Sequence, residues 1–328
     1  MSSLHVVLGA GGIGKQVALR LADRGQKVRV LSRSGTTVGD GIDAVATDVL
    51  NFNEFAEAVA GASVIYHCIG APYAKWSGMF PTIMNNVVLA ASNLGPKTKV
   101  VYADNLYAHG KAGAELGPLR EGQNLLAQGK KGALRRDLAE ILLDAHRLGK
   151  LTAAIGAGSD YFGPDAPSSL LHYFVFPKAI AGQKVSLFAD LDARHSFIYT
   201  PDFAEGLVRL GTSDTGNGRT WYLPHLPAER YRTFLSRVMA ICDGAIDATS
   251  DKTPDPAAYR DRMGTSPKAM LALAGLFSKD IREVREVAYQ SYVDWVVDSS
   301  DYEAAFDHHA TPINQALAKT IAWYKARS

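Results

Sequence analysis

Leu4-His5-Val6-Val7-Leu8-Gly9-Ala10-Gly11-Gly12-Ile13-Gly14 is a short apolar run that passes directly into glycines. Gly9, Gly11 and Gly14 satisfy the spacing G-x-G-x-x-G, with Gly12 and Ile13 completing the turn. An amphipathic stretch with Val17, Leu19, Leu21 and Ala22 follows, then Gly25 and a second apolar run from Lys27. Strand, glycines, helix, strand is the context that a dinucleotide-binding turn requires. Gly9 permits the tight turn, and Gly11 removes a Cβ where a pyrophosphate must approach the backbone. Gly14 lets the helix lie close to the strand, and the free N–H groups of the helix start face the phosphates.

Outward from this turn, the first two-thirds of the chain alternates apolar strands with helical stretches. Strands are expected at 4–8, 27–31, 42–46, 63–68, 98–103, 151–155 and 220–223, and helices around 14–24, 53–60, 80–94, 134–148 and 201–211. Strands separated by helices imply right-handed crossovers. The expected fold is an α/β, Rossmann-like, doubly wound parallel sheet of about seven strands. Residues 1–157, completed by 196–224, are expected to form the dinucleotide-binding domain. Residues 158–195 and 225–328, closing with a helix at 312–326, would form a smaller substrate-binding lid. Ligands of such sheets bind at the carboxyl ends of the strands, near the switch in strand order.

At 328 residues and 47% hydrophobic, the chain can bury a large core. A net charge of +2 without a basic run gives no reason to expect nucleic acid or a membrane as partner. Cys68 and Cys242 lie far apart and outside any metal-binding spacing, and no apolar stretch is long enough to span a bilayer. The first strand begins by residue 4, leaving no room for a signal peptide. A cytoplasmic protein with a small-molecule substrate, and no bound metal, is the expectation.

The second strand ends in Ser32-Arg33-Ser34, and no Asp or Glu occurs between Gln26 and Gly39. An NAD site usually carries an acid there for the ribose hydroxyls, whereas Arg33 suits a 2′-phosphate. NADP (NADPH) is therefore expected in preference to NAD. Asp48 after the third strand either accepts from the adenine amino group, with Val49 beside the ring, or caps the next helix. Cys68, Ile69 and Gly70 end the fourth strand with residues small enough for ribose and nicotinamide to lie across the backbone.

With these features, Tyr161-Phe162-Gly163-Pro164 and Phe197-Ile198-Tyr199-Thr200-Pro201-Asp202, the chain resembles the extended short-chain dehydrogenase/reductase family, the NAD(P)-dependent epimerase/dehydratase group. The resemblance covers most of the chain. It implies a Ser or Thr after the fifth strand and a Tyr-x-x-x-Lys on the next helix, the Tyr exchanging a proton with substrate and the Lys lowering its pKa. It also implies a homodimer through the helices at about 80–94 and 134–148. The signature itself is missing. Asn105 falls where the Ser or Thr belongs, and Tyr107 where some dehydratases carry an acid. On the helix, the Tyr and Lys positions hold Lys131 and Arg135, or Gly132 and Arg136, depending on register. Ala157 stands where related chains often place an Arg.

Tyr107 and Lys111 are spaced as Y-x-x-x-K, but His109-Gly110 between them reads as a turn, so the two would not share a helix face. Tyr107 and Tyr73, both just past strand ends, are candidate proton donors or else packed aromatics. Lys131 or Arg135 would favour the Tyr107 phenolate and support a developing alkoxide. Arg194-His195 is a candidate to face the cleft from the lid side, while His5 and His308-His309 read as structural and as a solvated pair. The expected activity is NADP(H)-dependent hydride transfer on a small carbonyl or alcohol. The alternatives are a sugar-nucleotide epimerase/dehydratase and a non-catalytic NADP(H)-binding sensor or scaffold.

Overall fold

In β1, Leu4–Leu8, neighbouring side chains leave on opposite faces, and both faces are filled. Val6 and Leu8 join one apolar cluster and Val7 the other, all fully buried. A strand covered on both sides reads as a continuous apolar run, which is why its sequence shows no polar alternation. The computed structural model describes residues 3–167, 169–267, 269–270 and 279–327. β1 pairs in parallel with β2 (Lys27–Ser32) on one side and β4 (Ala62–His67) on the other. The remaining sheet strands are β3 (Asp43–Ala46), β5 (Lys99–Asn105), β6 (Thr152–Gly158) and β7 (Thr220–Tyr222). Their order is β7-β6-β5-β4-β1-β2-β3, and every pairing is parallel. The strand order reverses between β1 and β4, so the ligand crevice of a doubly wound sheet opens above their carboxyl ends.

Helices cover both faces. α1 (Gly12–Asp23) and α5 (Thr200–Thr212) lie on one, where Val17, Leu21, Leu207 and Val208 bury against Val7 and Val101. α2 (Phe52–Ala58), α3 (Trp76–Leu94) and α4 (Lys130–Arg147) lie on the other, where Phe55, Met84, Val87 and Leu142 meet Val6, Ile65 and Val100. All seven expected strands are present. β6 runs three residues beyond the expected Ile155, through Gly156-Ala157-Gly158, which pair with Ala103–Asn105. Small residues with little strand propensity hid this end. They are needed because a Cβ on Gly156 would stand 2.8 Å from Leu207 of α5.

A third cluster gathers beyond the sheet. Phe162, Phe176, Phe197 and Phe234 form its aromatic centre, closed by α6 (Tyr231–Cys242) and by α8 (Ile313–Lys325). Short strand pairs frame it: Tyr161–Phe162 with Ile198–Tyr199, and Arg194–His195 with Glu229–Arg230. Between these two helices, α7 (Lys279–Val287) crosses above the start of α4 and is held there by ion pairs.

Candidate active site

The glycine turn has the shape that the sequence requires. Gly9 has a φ of +100°, and a Cβ there would meet the Cys68 carbonyl at 3.0 Å. A Cβ on Gly14 would fall 1.9 Å from the Gly9 carbonyl, so only glycine lets α1 approach β1 this closely. Gly12 is equally constrained by Asp165, whose carboxylate also pairs with Lys15 at 3.1 Å. At Gly11 nothing lies within 4 Å of the Cβ position. No side chain caps α1 and no acid occupies its first turn, so the amides at Gly12, Ile13 and Gly14 form an anion cradle open to a pyrophosphate. These residues fit a dinucleotide.

Arg33 lies exposed beyond the end of β2, with no side-chain hydrogen bond or ion pair among the described residues. Asp48 is exposed, and its Oδ1 accepts from Leu50 N at 3.0 Å. It does not cap the following helix, because the chain needs one more turn and Asn51 takes the N-cap position. Val49 is buried under that turn. At the end of β4, Cys68 N–H donates to Leu8 O at 3.0 Å and ties the strand to β1. Burial pushes the Cys68 thiol up to about 12, so it is neither a thiolate nor a nucleophile. Ile69 N–H donates to His67 Nδ1 at 3.4 Å, and the Cβ position of Gly70 faces open space.

The residues after β4 and β5 converge. Tyr73 and Tyr107 meet hydroxyl to hydroxyl at 2.6 Å, and both rings pack with Trp76. Burial is the largest influence on each phenol, raising Tyr73 to about 12 and Tyr107 well above the usual phenol range. Asn105 Oδ1 accepts from Tyr107 N at 3.1 Å and fixes the turn that presents the phenol. Tyr107 lies in a single 3-10 turn that Gly110 breaks with a φ of +66°, and Lys111 points out to pair with Glu115. The literal Y-x-x-x-K is therefore not a catalytic pair.

On α4, Lys131 and Arg135 face inward, while Arg136 stays at the surface and Gly132 is pressed against the Tyr107 carbonyl. The register is thus Lys131 and Arg135. Both cations reach the tyrosine pair only at a distance: Lys131 Nζ lies 5.6 Å from the Tyr73 ring centre, and the Arg135 charge opposes the burial of Tyr73 without outweighing it. Lys131 Nζ is held by Glu283 and, at 3.2 Å, by Glu286, and its backbone N–H donates to Glu286 Oε1 at 2.6 Å. Arg135 pairs with Asp104 at 2.9 Å, donates to Tyr102 OH at 2.5 Å and lies over the Trp76 ring. With both cations engaged and the phenols buried, the Tyr73–Tyr107 pair stays protonated at neutral pH.

Sequence reasoning missed Asp104, Glu283, Glu286 and Asp160. Asp104 carried a signal, a carboxylate directly after the run Val100-Val101-Tyr102-Ala103 at the end of an expected strand. The two glutamates are some 150 positions from Lys131, and only the tertiary fold joins them. His195 is fully buried rather than lining an open cleft: its Nδ1 meets Tyr231 OH at 3.0 Å and its Nε2 lies 3.4 Å from Asp160 Oδ2. His5 is bonded to Ser3 and Tyr66 inside β1, and His308 and His309 bond to Tyr302 and Glu303. Among the described residues no cluster has the makings of a metal site, and no helix is long and apolar enough to cross a membrane.

Comparison with known proteins agrees with this architecture. No curated protein matches the sequence. Among solved structures, dTDP-glucose 4,6-dehydratase from Bacillus anthracis, in complex with NAD, superposes with a TM-score of 0.76 at 13% identity, over 100% of this chain and 98% of its own. A putative epimerase from Burkholderia cenocepacia gives 0.74 at 18% identity, covering 99% of both chains. UDP-N-acetylglucosamine 4-epimerase from Bacillus cereus gives 0.73 at 14% identity, over 99% of this chain and 97% of its own. At these identities the likeness is one of fold. The sequence matches the NAD dependent epimerase/dehydratase family over residues 5–222, about two-thirds of its length, and the protein is a member of that family.

Proposed function

We propose that the protein is an NAD(P)-dependent enzyme that oxidises and re-reduces a hydroxyl-bearing carbon of a sugar-nucleotide, in the manner of an epimerase or dehydratase. The observation that carries this is the Tyr73–Tyr107 hydroxyl pair, 2.6 Å apart beyond the ends of β4 and β5, beside the strand-order switch. Family membership and the likeness to sugar-nucleotide dehydratases and epimerases favour that substrate class. When bound, the nicotinamide supplies the hydride acceptor and donor. The chain supplies the rest. Gly9, Gly11, Gly12, Ile13 and Gly14 would hold the pyrophosphate, and Cys68, Ile69 and Gly70 would floor the nicotinamide side. Arg33 would take a 2′-phosphate, making NADP the preferred cofactor, with Asp48 and Val49 near the adenine. Tyr73 and Tyr107 would exchange the proton of the reacting oxygen, a role usually worth about 10²–10⁴-fold in rate.

A second reading, net reduction of a small carbonyl by NADPH, is favoured by the protonated state of the pair, since a phenol that carries its proton at neutral pH can give it to a developing alkoxide. One experiment separates the two. The protein is incubated with nucleoside-diphosphate sugars and NAD⁺ or NADP⁺, and with ketones, aldehydes and enones and NADPH, following products by mass spectrometry and NMR. Conversion of a sugar-nucleotide without net cofactor consumption supports the first reading. Stoichiometric NADPH oxidation by a simple carbonyl alone replaces it with the second. Tight NADPH binding without turnover of anything identifies a sensor.

A further inference from the structure

The Tyr73–Tyr107 pair is covered from far along the chain. α7 packs on the turn Tyr73–Lys75, and Val287 at its end enters the apolar cluster that holds Tyr107 and Trp76. Glu286, Val287 and Tyr289 also line a cavity of about 320 Å³ whose other walls include Tyr107, Ala127 and Gly132. Tyr107 itself is only 8% exposed. A substrate atom bonded to its hydroxyl needs room that this closed arrangement does not leave.

The cover is not fastened as a fixed wall would be. Of the side chains described in α7, Arg282 to Val287, only Val287 is buried, whereas α4 beneath it buries Leu138, Leu142 and Ala145. A nine-residue helix has little stability of its own, and a segment with few buried apolar contacts opens without unfolding the rest. Charge holds it instead. Lys131, with a side chain 4% exposed, meets Glu283 and, at 3.2 Å, Glu286. Glu286 Oε1 also accepts from Lys131 N–H at 2.6 Å, so α7 caps the start of α4, which has no side-chain cap of its own. Gly129 leaves space for this, because a Cβ there would stand 2.6 Å from Glu286 Oε1. The fastening adjoins what it covers, with Lys131 Nζ 5.6 Å from the Tyr73 ring centre. Both glutamates are partly exposed, and ion pairs of that kind are individually weak, which suits a fastening that must release.

We propose that α7 is a lid over the Tyr73–Tyr107 pair, latched shut by Lys131 through Glu283 and Glu286, and that it must open for substrate to reach the hydroxyls. This rests on the reading above that the pair handles the proton of the reacting oxygen. Lys131 is then a positioning residue, acting through α7 rather than on substrate.

The test has a ligand-free arm and a kinetic arm. In hydrogen exchange followed by mass spectrometry, amides of residues 282–290 should exchange at least about tenfold faster than those of β5, as local opening requires. Lys131→Met, and the milder Glu283→Gln, should each speed exchange of 282–290 by at least about threefold and leave β5 unchanged. For the second arm, a Cβ on Gly129 would lie 3.3 Å from Glu286 Cγ, within reach of a disulfide. In Gly129→Cys/Glu286→Cys the oxidised form ties the lid down and the reduced form frees it. On the substrate found by the panel, oxidation should lower turnover at least about tenfold, and dithiothreitol should restore it. Exchange of 282–290 as slow as that of β5, or equal turnover by the oxidised and reduced forms, overturns the lid. Exchange indifferent to both Lys131→Met and Glu283→Gln overturns the latch. Failure of the broader reading looks different: the wild type itself turns over nothing on the panel, and the exchange arm alone then decides whether α7 opens.

Discussion

Arg135 Nε lies 2.9 Å from Asp104 Oδ1, with both side chains more than nine-tenths buried. This ion pair stands under the floor of the site, where the guanidinium also supports Tyr102 and Trp76. Removing one member of a buried pair leaves an uncompensated charge and typically costs about 3–5 kcal/mol. Arg135→Met should therefore destabilise by that order in urea unfolding. Adding Asp104→Asn to it should recover part of the loss, a non-additivity that marks direct coupling. Additive losses would mean that the two side chains do not interact.

The glycine turn separates two effects. Gly14→Ala places a Cβ 1.9 Å from the Gly9 carbonyl and should cost about 1–3 kcal/mol of stability, as overpacking against backbone does. Gly11→Val enters open space, so circular dichroism and thermal midpoint should stay near wild type while NADPH fluorescence enhancement disappears. Retained binding in Gly11→Val would show that the cradle is not the pyrophosphate site.

Much of this was readable from residue order alone. The glycine turn and seven strands announced themselves because local spacing encodes them: apolar runs of strand length, separated by helical periods. The site was only half visible. Tyr73 and Tyr107 stood out by their positions after strands, but that their hydroxyls touch depends on how two loops fold back over Trp76. The partners of Lys131 come from α7, and His195 reaches Asp160 across separate strand pairs, so no local pattern could join them. Asp48 illustrates a competition between similar local bonds, since the same side chain can close a turn or cap a helix, and here it closes the turn.

Arg33 should determine cofactor choice. Its guanidinium is exposed beyond β2 and engages nothing else among the described residues. Arg33→Ala should weaken NADPH by about 1.5–3 kcal/mol, the scale of a charge-assisted hydrogen bond, and leave NADH nearly unchanged. Calorimetric titration of both cofactors into both proteins checks this. Equal affinity of the wild type for NADPH and NADH would refute the assignment.

Stability should fall steeply on mild acidification. Burial lowers His67 and His225 from 6.5 to about 3 and His109 from 6.5 to about 4. Their folded pKa values are depressed, so their contribution is fully present above pH 6.5 and is lost as pH falls toward the folded values. Between those limits the unfolded chain binds the extra protons, each group adding a slope of up to about 1.4 kcal/mol per pH unit. Urea unfolding at pH 7, 6 and 5 should show ΔG decreasing throughout, and His67→Gln should flatten the slope. A stability unchanged from pH 7 to 5 would contradict the buried, neutral state of these rings.

The central claim is that hydride and proton exchange meet at the Tyr73–Tyr107 edge, and a crystal structure with NADP⁺ bound tests it most directly. The account predicts the pyrophosphate on the amides of Gly11 to Gly14, the 2′-phosphate on Arg33, and nicotinamide C4 turned toward the paired hydroxyls. A dinucleotide bound elsewhere, or a nicotinamide facing away from both tyrosines, would contradict it.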